Sequence, residues 1–405
     1  MPQSQLIPLE KALAFLLGDV QENPAVIEVP LPEALGCVLA RSCTAAIDVP
    51  AFDNSAMDGY AVNTADLDKP GCTLPVSQTI AAGHPGTSLS RGTAARIFTG
   101  APMPAGADAV VIQENTQAAA GEVAVMVLPE PAENIRLKGH DVGKGELILE
   151  AGHRLRPQDL GLLASLGIAA VTVKQPLTVA IINTGDEVVA PGQPLRPGQL
   201  YDSNSFTLEG LLTGLGMRVI KKGIVEDSLA STQAALKEAA ADADCIITTG
   251  GVSVGEEDHV RQAVEALGQL SLWKLAIKPG KPFSYGRIDG IPFFGLPGNP
   301  VAVFVTFAML VRPYLLNTQG AAADKAPYVN VRAGFDITSP GSRMEFLRVR
   351  LVPDGKGGQV LDAFGNQGSS LMTSLAWADG LAEIPQGKTV SKGEWLKFIP
   401  FSGIL

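Results

Sequence analysis

Chemistry in this chain would gather at short glycine turns that follow apolar runs. TTGGVSVGEEDHV, residues 248–260, contains GVSVG, the G-x-S-x-G pattern that presents a nucleophilic serine in α/β hydrolases. That reading needs an acid and then a histidine after the serine. His259 is the only histidine after Ser253, and fitting an acid between them leaves a triad that is hard to build. A ligand loop fits better, because Gly250, Gly251 and Gly255 lack Cβ atoms and let backbone N–H groups come close to an oxyanion.

Two further turns share this character, NTGDE (183–187) and LPGNP (296–300). In the second, Asn299 suits an N-cap and Pro300 the first helical position, which places Gly298 at a helix N-terminus favouring anions. Each alone also reads as a tight βα turn. Together, at the carboxyl ends of parallel strands, they point to a phosphate-bearing ligand. KPGKP adds a basic component, with Lys278 and Lys281 flanking Pro279 and Gly280, and Lys274 just before. A solvated lysine turn is the alternative. Carboxylates recur at loop positions: Asp58, Asp141, Glu187, Asp227 and Asp258. Asp227 and Asp258 also suit helix N-caps. Gathered near phosphates, such hard oxygen ligands would hold Mg²⁺.

The elements that must position these residues fall into three kinds. From about 177 to 316 the pattern alternates strand and helix, starting with LTVAII (177–182). Leu208, Leu211, Leu212 and Leu215 mark one face of a helix opened by Asp202 and Ser203. Asp289 and Gly290 form a favoured hairpin turn, and an apolar helix follows over 301–316. Such alternation predicts a mostly parallel sheet covered on both faces. Residues 1–20 fit a helix with Leu9, Leu13 and Leu16 on one face. The stretch 46–142 is rich in Gly, Pro and short β runs, and the tail from Tyr328 interleaves Leu347, Val349 and Leu351 with Arg348 and Arg350.

A chain of 405 residues, 46% apolar and 18% charged, buries substantial cores in more than one domain. Its net charge of −10 argues against general affinity for nucleic acid or anionic membrane. The N-terminus lacks signal-peptide character, and the longest apolar run, 301–311, ends at Arg312-Pro313, short of a bilayer span of ~20 residues. A cytoplasmic location is expected. Four cysteines without C-x-x-C spacing read as buried thiols, and four scattered histidines give no zinc pattern.

Taken as a set, DNSAMDGYA, RIFTGAPMPAGADAVV, GHDVGKGE, NTGDEV, DSNSFTL, TTGGVSVGEEDHV, KPGKPF and GLPGNPV resemble the molybdopterin molybdenumtransferase family, the bacterial MoeA proteins and the related gephyrin E domain. The match is close to about residue 316 and looser through GNQGSS (365–370). The resemblance implies a multidomain α/β plus β fold. A discontinuous helix-containing domain takes 1–45 with 143–176, a β-rich domain 46–142, a mostly parallel α/β domain 177–326 and a β-barrel-like domain 327–405. It implies an enzyme that uses molybdate and adenylylated molybdopterin, inserts the metal and releases AMP with Mg²⁺ assisting. It also implies an elongated homodimer, with a cleft between the α/β and C-terminal domains of one subunit and the β-rich domain of its partner.

Carried over by motif, Gly250, Gly251, Ser253 and Asp258 resemble the pterin and nucleotide phosphate loop, with Glu187 and Asp227 on neighbouring strand ends. Glu187, Asp227 and Asp258 form the implied Mg²⁺ set. Asp58, Thr99 and Asp141 match the partner-subunit contribution. Lys274, Lys278, Lys281 and Pro282 resemble a molybdate and phosphate pocket, Pro297 and Pro300 the loop packed on it, and Arg348 and Ser369 C-terminal oxyanion contacts. A pterin-adenylating protein and molybdoenzyme acceptors are implied partners. Competing readings are a nucleotidyltransferase or nucleotide amidohydrolase on the same α/β unit, and a scaffold that binds a partner peptide.

Overall fold

The structure, a computed structural model, describes residues 6–250, 259–321 and 326–404. The chain divides into two compact units, one of 1–40, 152–156 and 171–405, the other of 41–151 and 157–170.

In the larger unit a six-stranded sheet runs in the order 218–225, 178–184, 245–249, 291–296, 282–288, 268–274. The first four strands are parallel, and the last two join antiparallel. The hairpin between the 282–288 and 291–296 strands turns through Asp289 (φ 49°) and Gly290 (φ 85°), the left-handed pair that a type I′ turn requires. Apolar residues cover both faces. One face carries Val179, Ile181, Ile247, Phe294 and Leu296 under helices 9–18, 204–214 and 300–318. The other carries Ala180, Ile182, Ile246 and Phe293 under helices 229–242 and 259–267.

Leu208, Leu211, Leu212 and Leu215 are buried as their spacing predicts. The residue that caps this helix is Asp202 alone, whose carboxylate accepts from the backbone N–H (3.0 Å) and hydroxyl of Ser205; Ser203 makes no side-chain cap. Asp227 caps nothing either, since Ser228 accepts from Ser231 N–H at 3.2 Å and opens helix 229–242.

The apolar helix runs through Arg312-Pro313, as expected over 301–316. It continues over Pro300–Thr318, long and apolar enough to cross a membrane, with 89% of its apolar window buried as core. Proline at 313 removes one backbone donor, and the chain absorbs this in a wider turn over Phe307–Val311. Arg312, 2% exposed, donates to the carbonyl of Ile404 at 2.6 Å and of Gly403 at 3.2 Å.

The C-terminal strands close on themselves. Strands 344–353, 359–363, 329–333, 395–400 and 380–384 pair in turn, and 380–384 returns to 344–353 to complete a five-stranded barrel. Val349, Leu361, Ala382, Leu396 and Phe398 fill it. A two-residue strand, Ile277–Lys278, pairs in parallel with Met344 and Glu345 at its edge.

The smaller unit is built on a six-stranded sheet ordered 109–112, 59–62, 94–97, 72–80, 122–125, 116–119, with cores around Tyr60, Val111 and Val123 and around Ala61, Ile97 and Val110.

Candidate active site

Two adjacent clefts open at the carboxyl ends of the parallel strands. The first, about 520 Å³, is lined by Asn183, Thr184, Glu187, Asn204, Thr249, Gly250, Gly298, Pro300 and Ser370, among others. Parallel strands end here together, so turns distant in sequence meet. A Cβ on Gly298 would stand 3.9 Å from the Cα of Gly250. Gly250 takes φ 83°, and its N–H donates to Leu296 O at 3.1 Å. The floor is the buried pair Thr249 and Asn183, joined at 2.7 Å from Thr249 Oγ1 to Asn183 Oδ1. Asn204 Nδ2 donates to Gly298 O at 2.8 Å and ties the 202–208 segment to the LPGNP turn. Glu187 lies exposed on the rim without a cationic partner among the described residues. Its carboxylate folds over Gly185, whose φ of 134° and missing Cβ leave that space open.

The second cleft, about 440 Å³, shares Gly298 and Asn299 with the first. Lys278, Lys281, Pro282, Pro297, Ala302, Arg343, Gln367, Gly368 and Ser369 line it. Lys278 Nζ stands 3.1 Å from Glu345, while Lys281 has no ion pair among the described residues. Arg343 donates to Ile277 O at 2.8 Å. Three cations against one neighbouring carboxylate make this cleft a local exception in an acidic chain.

Sequence reading missed Arg343. It lies 62 residues beyond Lys281 and is brought beside the lysines by the Ile277–Lys278 pairing with the barrel. So short a strand leaves no periodic trace.

The helix N-terminus at Pro300 is already occupied: Ser369 O accepts from Val301 N–H at 3.0 Å. Asn299 makes no cap and instead donates from Nδ2 to Ser369 Oγ at 3.0 Å. Because Asn299 supplies that hydrogen, the hydroxyl proton of Ser369 is left to donate elsewhere.

Arg348, expected as an oxyanion contact, does not line the cationic cleft. It is 1% exposed, and its guanidinium donates to Ser374 Oγ (3.1 Å), Phe346 O (3.3 Å) and Gly368 O (3.0 Å). Burial lowers its pKa to about 10, so it remains charged at neutral pH. Lys274 lines neither cleft, although its carbonyl accepts from Ile7 N–H at 2.8 Å. Asp227 is exposed past the neighbouring strand end and lines neither cleft. Gly251, Ser253 and Asp258 lie outside the described residues. Among the described residues no three His, Cys, Asp or Glu side chains gather as a metal cluster.

In the smaller unit Asp58 and Thr99 do meet. Asp58 Oδ1 accepts from Thr99 N–H at 2.8 Å and from its hydroxyl at 2.7 Å. The Thr99 backbone bond, then its hydroxyl, then the charge of Arg96 hold the Asp58 carboxyl below its usual range. Arg96 spans Gly59 O (3.1 Å) and Gln113 Oε1 (3.0 Å). Asp141 is exposed beside the Val49–Val142 bridge, with no side-chain partner among the described residues.

Comparison with known proteins agrees with this layout. Residues 7–167 match the MoeA N-terminal region (domain I and II), 180–317 a probable molybdopterin binding domain and 330–401 the MoeA C-terminal region (domain IV). The chain therefore has the build of a MoeA protein from end to end of those regions. A molybdopterin molybdenumtransferase of Haemophilus influenzae is 39% identical over 99% of this chain and all of its own length, and one from Nostoc is 37% identical over 93% and 88%. A crystal structure of a molybdopterin biosynthesis MoeA protein from Pyrococcus horikoshii superposes with a TM-score of 0.83 at 31% identity, covering 97% of this chain and 99% of that one. This chain belongs to the molybdopterin molybdenumtransferase family.

Proposed function

We propose that the protein inserts molybdenum from molybdate into adenylylated molybdopterin and releases AMP. The observation behind this reading is the pair of clefts that share Gly298 and Asn299. One offers a glycine turn at parallel strand ends, suited to a phosphate-linked pterin nucleotide. The other offers Lys278, Lys281 and Arg343, suited to a small oxyanion. Neighbouring sites let the metal reach the dithiolene while the nucleotide is still attached.

The chain's own groups bind and orient in this scheme. Gly250 and Gly298 allow close approach of phosphate oxygens, the lysines and Arg343 hold molybdate, and the Ser369 hydroxyl donates to one of its oxygens. Water cleaves the phosphoanhydride; AMP departs and the pterin keeps its phosphate. Ser253 supplies a hydrogen bond in this reading and forms no covalent bond. The Mg²⁺ expected here fits the oxygen donor of Glu187, which has no cationic partner among the described residues; Asp227 lines neither cleft and is no donor there, and Asp258 lies outside the described residues. Bound there, Mg²⁺ would offset phosphate charge. The protein acts in the cytoplasm as a homodimer in which Asp58, Thr99 and Asp141 serve the partner's clefts.

Incubating the protein with adenylylated molybdopterin tests this directly. AMP release that depends on added molybdate is expected. Adenylation of free molybdopterin by ATP would instead favour the nucleotidyltransferase reading, and neither reaction would favour a scaffold.

A further inference from the structure

The loop 365–370 supplies Gln367, Gly368 and Ser369 to the cationic cleft and Ser370 to the strand-end cleft. Its placement therefore bears on both. Ser369 is the member whose groups face two ways, its carbonyl on Val301 N–H and its hydroxyl against Asn299.

Two side chains hold this loop against strand 344–353. Gln367 Oε1 accepts from Arg348 N–H at 2.9 Å, while Gln367 Nε2 donates to Arg348 O (3.1 Å) and Phe364 O (2.9 Å). From beneath, the Arg348 guanidinium donates to Gly368 O at 3.0 Å and to Ser374 Oγ at 3.1 Å. Ser374 in turn donates to Leu371 O at 2.6 Å, so both ends of the segment 368–371 are fastened. Arg348 has no carboxylate partner among the described residues and does not line the cationic cleft. A buried arginine whose donors go to carbonyls and a hydroxyl is fixing backbone in place, and its planar fork can do so at several points where an ammonium could not.

We propose that Arg348, with Gln367, is a positioning residue: it acts on oxyanion binding by presetting the 365–370 loop, so that Ser369 stands ready at the cleft, and it does not touch the oxyanion. This rests on the functional reading above and gives Arg348 a role other than the direct contact expected from sequence.

Three variants and two measurements test it. In molybdate-dependent AMP release, Arg348→Lys and Arg348→Met should raise the molybdate KM alike, by about tenfold, the size of one lost hydrogen bond to a charged group, with kcat changed less than about twofold. Gln367→Ala removes no charge, lies at the cleft side of the loop and should raise KM in the same way. Hydrogen exchange of peptides covering 365–370, measured on the same proteins, should quicken in all three variants, and this readout needs no turnover.

An Arg348→Lys protein with near-normal KM beside a failed Arg348→Met would mean the charge itself matters and would overturn the proposal. So would loop exchange unchanged from wild type in the Arg348 variants. Wild-type protein that releases no AMP on adding molybdate would sink the functional reading instead, leaving the clamp to be judged on the exchange rates. If the Arg348 variants do not fold, Gln367→Ala decides the matter by the same two criteria.

Discussion

The side chains that sequence singled out divide by whether a strand end or a long-range pairing carries them. Gly250, Gly298 and Glu187 gather in one cleft because parallel strands finish together, a consequence readable from βα alternation. Lys278 and Lys281 share a cleft because two residues separate them. Arg343 enters the same cleft by a barrel pairing that no local pattern announces, and the burial of Arg348 runs against the simple alternation of its strand. Asp58 gives a pH prediction. Its carboxyl sits below the usual range chiefly through the Thr99 backbone and hydroxyl bonds. A depressed carboxylate contributes stability above its unfolded pKa and loses it as pH falls through the folded value. Thr99→Ala, which deletes the hydroxyl bond, should move the Asp58 titration upward toward the ordinary carboxylate range, as read by side-chain carboxyl NMR. An unmoved titration would show that the hydroxyl is not a cause.

Elements were legible where period and turn chemistry agreed. The leucine face at 208–215 and the Asp289-Gly290 hairpin follow local rules that tertiary packing reinforces. The helix expected over 301–316 does run through Arg312-Pro313, because a wide turn absorbs the proline and the core buries both sides. That core includes a ring cluster in which Phe294 lies 5.1 Å from Tyr285 and 5.0 Å from Tyr314, centroid to centroid. Phe294 is fully buried on the central strand. Phe294→Ala should cost about 3–5 kcal/mol, measured by denaturant unfolding followed in the far ultraviolet. A loss below about 1 kcal/mol would mean that the ring cluster is not the support of this sheet.

At the scale of the whole molecule, the reading that Asp58 and Thr99 complete the partner's clefts makes a quantitative demand. The protein should elute as a dimer of its 42.1 kDa chain. Asp58→Asn and Lys281→Met proteins, each nearly inactive alone, should recover about a quarter of wild-type activity once their subunits are exchanged, since half the dimers then hold one intact site. Activity that does not recover in proven mixed dimers would place Asp58 and Lys281 in the same subunit's site, or in no common site.

The oxyanion cleft is the central claim, and one measurement reaches it most directly. Crystals soaked in molybdate and measured at the molybdenum absorption edge should show an anomalous peak among Lys278, Lys281, Arg343 and Ser369. Peaks confined to other surfaces, with that cleft empty, would contradict the account.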